Sequence, residues 1–337
     1  MPTLKEYAAL AANVYNDQRG GGGLSIINHL DVPLGWRKLD SDEFAAGDNL
    51  NKNPMSFTGG AYVNQETGEI VVAYKGTDFL LEFNGRTWNT IADLTADVGL
   101  SMARKTVGLY NLQQIAASTY YLAVKDWAVE NGFNPDKISF TGHSLGGGLA
   151  SNIAVWFDKP AITFAEAPFE LSAINPALVT TAASVLVLQA GVTASSAVLL
   201  EIKKLDSLLD DGEYDRRQSA VTNYYNKGEF LEYLRFLLPT VVGVDNAIDI
   251  GPQSILNALA LHNMNLHAAF LYDDRLRDLC TKIPELISLL IDTKLFAADP
   301  NGKTKDLLTT LVNDQLRQGF EADSALKPSH YTQVPDH

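Results

Sequence analysis

The run Thr141-Gly142-His143-Ser144-Leu145-Gly146-Gly147-Gly148 carries the clearest chemistry in the chain. Lys137 to Thr141 reads as a short apolar strand leading into it, and a helical pattern follows Ser144. Gly-x-Ser-x-Gly in that setting describes a nucleophile on a sharp strand-to-helix turn. The turn forces the serine into unfavourable backbone angles, and Gly142 and Gly146 let strand and helix approach without side-chain clashes. The serine Oγ then stands at the carboxyl edge of a sheet. The N–H of Leu145, at the start of the helix, can face a developing oxyanion. The competing reading is a glycine-rich turn with an idle serine; the flanking strand, helix and extra glycines argue against it.

A serine nucleophile needs an imidazole base and a carboxylate to orient that base. Sheets that carry this elbow place them in the order Ser, acid, His. Of the six histidines, His29 and His143 come too early, and His143 lies inside the elbow itself. His330 and His337 sit in a polar tail, where a base would not be held rigidly. His262 and His267 remain. The acid should follow a strand later than the buried strand at 161–164. Val221 to Asn226 reads as such a strand, and Lys227-Gly228-Glu229 follows it. Glu229 is the first choice; Asp245 and Asp249, in a loop-like stretch before His262, stay open.

The elements that must position these groups read as alternating strands and helices. An amphipathic helix covers 3–16, ending before Gly20 to Gly23. The β-rich runs 57–64 and 69–75 flank Gln65-Glu66-Thr67-Gly68 and form a hairpin. Helical patterns cover 88–98, 106–130, most of 177–210, and most of 229–238, 253–272, 274–292 and 303–318. The alternation implies a mostly parallel sheet with helices on both faces, an α/β class.

Gly-His-Ser-Leu-Gly-Gly resembles the elbow of class 3 lipases, the fungal-lipase-like branch of the α/β-hydrolases. Ile70-Val71-Val72-Ala73-Tyr74-Lys75-Gly76-Thr77 is similar to that family's strand ending in Arg-Gly-Ser or Arg-Gly-Thr, with Lys75 in place of arginine. Trp88 to Thr95 and Ile162-Thr163-Phe164-Ala165-Glu166-Ala167-Pro168 also match family segments. The resemblance covers roughly residues 57–170. It implies an α/β-hydrolase fold with helical lid or cap insertions, and hydrolysis of acylglycerol or phospholipid esters. It implies an oxyanion donor at Thr77, which fits the need for a second donor beside Leu145. His262 opens a run similar to the family's closing histidine segment, which favours it over His267. Gly228-Glu229 stands where the family usually has Gly-Asp. The apolar segment 78–95, with Phe79, Leu80, Leu81, Phe83 and Trp88, lies where the family carries a lid over the site.

Bulk composition agrees. The chain has 337 residues, suiting one domain with a possible lid at 78–95 and a helical insertion at 171–213. Its net charge of −14 argues against nucleic acid and against charge-driven adsorption to anionic membranes. The one cysteine, Cys280, reads as a buried apolar residue. The first fifteen residues carry Glu6 and no long apolar core, so no classical signal peptide is expected; the protein would be cytoplasmic or exported without a cleaved leader. The uncharged stretch from Leu171 to Leu200 is long enough to span a bilayer, but Pro176, Asn175 and Gln189 favour packed helices. No cofactor is expected, and no metal: His262 and His267 are five apart, wrong for a zinc pair on one helix face, and no calcium-loop pattern occurs. The expected partner is a lipid or small-molecule ester, cleaved through an acyl-enzyme by a triacylglycerol lipase or esterase. The alternatives are a phospholipase A1, a thioesterase or peptidase on the same fold, or an inactive binding protein.

Overall fold

The computed structural model describes residues 1–16, 30–40, 42–44, 57–76, 109–191, 195–235, 241–254 and 257–290, with 308, 311–313 and 316. The chain opens with α1 (Leu4–Asn13), whose first turn is closed by a capping box between Thr3 and Glu6. A 3₁₀ turn, Val14–Asn16, follows. Then come β1 (Trp36–Lys38), β2 (Gly59–Asn64), β3 (Ile70–Tyr74), α2 (Leu109–Glu130), β4 (Ile138–His143), α3 (Leu145–Phe157) and β5 (Ala161–Phe164). A helical segment continues through α4 (Glu170–Ala173), α5 (Pro176–Ala190), α6 (Ser196–Ile202), α7 (Lys204–Ser207) and α8 (Glu213–Gln218). After it come β6 (Val221–Asn226), α9 (Phe230–Arg235), β7 (Val244–Ile248), α10 (Ala258–Leu261), α11 (Met264–Tyr272), α12 (Asp274–Lys282) and α13 (Leu286–Leu290).

The strands form one sheet in chain order, β1 to β7. The first three are antiparallel; β3 through β7 run parallel. Central strands β3 and β4 are buried at every residue, as a parallel sheet covered on both faces requires. Along β3, Ile70, Val72 and Tyr74 join a core with α2 and α3, where Tyr121, Phe140 and Trp156 meet. Val71 and Ala73 point the other way, into a core with Leu10 of α1 and Leu266 and Phe270 of α11. Ala8, Ala9, Ala11 and Ala12 of α1 are fully buried; their small size lets the helix lie close on the sheet. This is the α/β-hydrolase arrangement, and the carboxyl ends of its parallel strands form the edge where ligands bind in such sheets.

Some local expectations fail for identifiable reasons. β1 and β7 do not stand out in the sequence because they are edges: β1 is three residues with Arg37 and Lys38, and β7 reads Val-Asp-Asn-Ala-Ile, mostly exposed. Asp245 therefore lies on a strand and not in a loop. The single helix expected over 253–272 breaks at His262 because Asn263 accepts from the Asn265 and Leu266 N–H groups and starts a new helix. The helix expected over 274–292 breaks before Pro284, which cannot continue the hydrogen-bond ladder.

The uncharged stretch 171–200 folds as α4, α5 and the start of α6, helices of 4, 15 and 7 residues. Among the described residues no helix is long and apolar enough to cross a membrane. The segment is pinned to α2 through Glu201, which pairs with Lys125, accepts from the Tyr121 hydroxyl at 2.7 Å and accepts from Lys204 at 3.0 Å. Cys280 is buried, and that burial pushes its thiol up to about 11. The segments 88–98 and 78–95, and most of 303–318, lie outside the described residues.

Candidate active site

Ser144 closes β4 and precedes α3 with φ 57° and ψ −126°, a conformation that residues with a side chain rarely adopt. The main chain around it supports the strain. Its N–H donates to the Phe164 carbonyl at 3.0 Å, and its own carbonyl accepts from Ala167 at 3.0 Å and Gly148 at 3.1 Å. A Cβ on Gly146 would overlap the Tyr74 carbonyl at the end of β3, and one on Gly142 would overlap the Gly146 carbonyl. The glycine spacing of the motif is thus a packing requirement between α3 and two strands. Leu145 is the first residue of α3, so its N–H has no partner within the helix.

His262 lies in the break between α10 and α11. Its Nε2 is 3.0 Å from Ser144 Oγ, and its Nδ1 is 2.7 Å from Glu229 Oε2. A neutral imidazole protonated on Nδ1 satisfies both contacts, donating to the carboxylate and accepting from the serine hydroxyl. His262 is 1% exposed and Glu229 is fully buried, so the chain of hydrogen bonds is shielded from competing water. Glu229 follows the carboxyl end of β6 in a turn closed by its N–H on the Asn226 carbonyl, and Oε2 also accepts from Leu231 N–H at 2.7 Å. The Phe230 ring meets the His262 ring edge-on, with centroids 6.2 Å apart.

The remaining candidates lie elsewhere. His267 is one helical turn into α11, fully buried, against the Phe164 and His143 rings with centroids 6.3 Å and 6.0 Å away. Asp245, on β7, accepts from the Asn223 side chain. Asp249 is exposed and accepts from the Gly251 N–H at 2.9 Å in its own loop. Of the three candidate acids, Glu229 is the one with a hydrogen bond to the His262 imidazole. Thr77, the expected second oxyanion donor, lies outside the described residues; β3 carries the chain to Gly76, beside the elbow.

In the sequence His143 reads as no more than a flank of the nucleophile within the elbow. Its side chain is buried, and its Nε2 is 2.7 Å from the His262 carbonyl oxygen. Burial, reinforced by the neighbouring His262 and His267 rings, pushes its imidazole well below the ordinary value, so it stays neutral. Among the described residues no group of three or more His, Cys, Asp or Glu is placed to hold a metal ion.

A family model for a phospholipase-like group, described as the Tle-like phospholipase domain, matches residues 6–265. A curated protein of Penicillium rubens that carries a lipase name, Atg15, is 28% identical over 197 residues. That match takes in 51% of this chain and 27% of the other, so the chain spans about a quarter of that relative's length. Among solved structures, the Lip2 lipase of Yarrowia lipolytica is 14% identical, with 73% of this chain and 77% of that one covered and a TM-score of 0.36.

Proposed function

Because the chain belongs to the phospholipase-like family of Tle-like domains, we propose that it hydrolyses carboxylic esters of lipids through an acyl-enzyme on Ser144. The observation that carries this reading is the unbroken hydrogen-bonded line from Ser144 Oγ through His262 to Glu229. In the reaction His262 Nε2 takes the hydroxyl proton as Oγ attacks the ester carbonyl. Glu229 stabilises the imidazolium that results, without taking its proton. The carbonyl oxygen becomes an oxyanion facing the Leu145 N–H, with Thr77 as the second donor in this reading. Collapse of this intermediate expels the alcohol, which leaves with the proton held by His262, and the acyl group stays on Oγ. Water then repeats the sequence: His262 takes its proton, the hydroxide adds to the acyl carbon, and Ser144 recovers its proton as the fatty acid departs.

The family match supports a phospholipid as the substrate ahead of triacylglycerol; in our reading a diacyl phospholipid is cleaved as a phospholipase A1 would cleave it. In this reading residues 1–337 form one hydrolase domain, with 171–213 as a helical insertion and 78–95 as a lid. Incubation with phospholipid vesicles, a triacylglycerol emulsion, p-nitrophenyl esters, a peptide and an acyl thioester, with products followed by mass spectrometry, tests it. The expected result is free fatty acid and lysophospholipid from the vesicles. Faster cleavage of the peptide or thioester than of any oxygen ester would contradict the assignment.

A further inference from the structure

Alternate residues Ser139, Thr141 and His143 of β4 are polar and buried, and all turn toward the N-terminal helix. Ser139 Oγ accepts from the Tyr7 hydroxyl at 2.8 Å, and the Thr141 hydroxyl points at the Tyr7 carbonyl, 3.4 Å away. His143 makes the corresponding contact one step higher. Its Nδ1 is 2.8 Å from the hydroxyl of Tyr15, in the 3₁₀ turn that follows α1. Unlike the other two, it also reaches across to the opposite side of the site, to the His262 carbonyl.

A carbonyl can only accept, so His143 must carry its proton on Nε2. A neutral ring then leaves Nδ1 as an acceptor, and Tyr15 supplies the proton it requires. The His143 ring also packs against the His262 ring, with centroids 4.7 Å apart and planes at 43°. The adjacent carbonyl, that of Leu261, is held as well: Asn226, fully buried on β6, donates to it at 2.9 Å. Two successive carbonyls of the turn that bears His262 are therefore gripped by side chains from two parallel strands. The turn belongs to neither strand, and without these bonds the short α10 and the helix break would be what fixes its height over the sheet.

We propose that His143 is a positioning residue for the imidazole of His262, holding that residue's main chain at the height from which Nε2 meets Ser144 Oγ. It does not touch substrate; it acts through the carbonyl it bonds. This inference rests on the hydrolase reading above.

Two polar substitutions separate this role from simple core filling. Glutamine places an amide N–H where Nε2 stands, whereas asparagine reaches only as far as Nδ1. His143→Gln is expected to keep kcat within about threefold of the parent, while His143→Asn lowers it roughly 10–100-fold with KM little changed, the size of loss that a shift of about 1 Å in a reacting group produces. Thermal midpoints corrected for the folded fraction accompany both. The proton on His262 Nδ1, bonded to Glu229, gives a strongly deshielded NMR resonance; it should persist in His143→Gln and broaden or vanish in His143→Asn. If the two variants behave alike in kcat and in this resonance, the positioning role is wrong. If the parent cleaves no ester but the resonance still separates the variants, the positioning role stands and the hydrolase reading falls.

Discussion

His262→Ala is expected to lower kcat for ester hydrolysis by roughly 10⁶-fold, while His267→Ala leaves the turnover of folded protein within a few-fold of the parent. The difference follows from position. His262 Nε2 is 3.0 Å from Ser144 Oγ, whereas the His267 ring packs against Phe164 and the His143 ring. Removing His262 leaves the serine hydroxyl with no group to take its proton, and a neutral hydroxyl is a poor nucleophile. Removing His267 empties part of a packed core and should cost stability instead. A double variant, Ser144→Ala with His262→Ala, is expected to be no slower than either single one, because residues that act as a unit lose their effect together. Burst and steady-state rates on a p-nitrophenyl ester measure the four variants against the parent. A His267→Ala enzyme as inactive as His262→Ala, with its fold intact, would reassign the base.

Glu229 offers the second large effect, and its geometry predicts a graded one. One oxygen, Oε2, accepts from both His262 Nδ1 and Leu231 N–H, each at 2.7 Å. In Glu229→Gln the amide oxygen can occupy that place and keep both bonds. The imidazole then retains its tautomer and orientation, and only the negative charge that stabilises the imidazolium is lost. A charge-assisted hydrogen bond contributes about 1.5–3 kcal/mol, so kcat should fall roughly 10–100-fold. Glu229→Ala removes charge and orientation together and leaves the Nδ1–H and the Leu231 N–H unsatisfied in a buried site. Its loss should reach the order of 10⁴-fold. Steady-state rates of the two variants test the order. Equal losses would mean that glutamine turns its NH₂ toward the imidazole and forces the wrong tautomer.

The part of this site that was legible in the sequence is the part fixed by local sterics. The elbow needs glycines on both sides of Ser144 because a carbonyl of β3 and one of α3 fill the space their side chains would take. Glu229 could only be ranked first, because it follows a Val/Thr/Tyr-rich strand at the place where the resemblance has Gly-Asp, while chain order left Asp245 and Asp249 open. His262 needed elimination and resemblance, since nothing nearby announces that Asn263 interrupts a helical pattern at that residue. The grip of His143 on the His262 carbonyl joins residues 119 apart, and Tyr15 meets His143 across 128. No periodicity encodes contacts of that kind, because they arise only once α1 and the turn before α11 have packed on the same face of the sheet. The edges β1 and β7 escaped for the opposite reason. Their residues are polar because solvent reaches them, and so they lack the apolar pattern that marks a strand.

The most direct measurement is covalent capture. The parent protein is treated with an alkyl fluorophosphonate, which an activated serine attacks at phosphorus with loss of fluoride, and the digested protein is analysed by peptide mass spectrometry. The expected result is a single phosphonyl adduct on the peptide containing Ser144, lost in Ser144→Ala and formed far more slowly in His262→Ala. An adduct on a different residue with Ser144 unmodified, or undiminished labelling in Ser144→Ala, would contradict the assignment of Ser144 as the nucleophile.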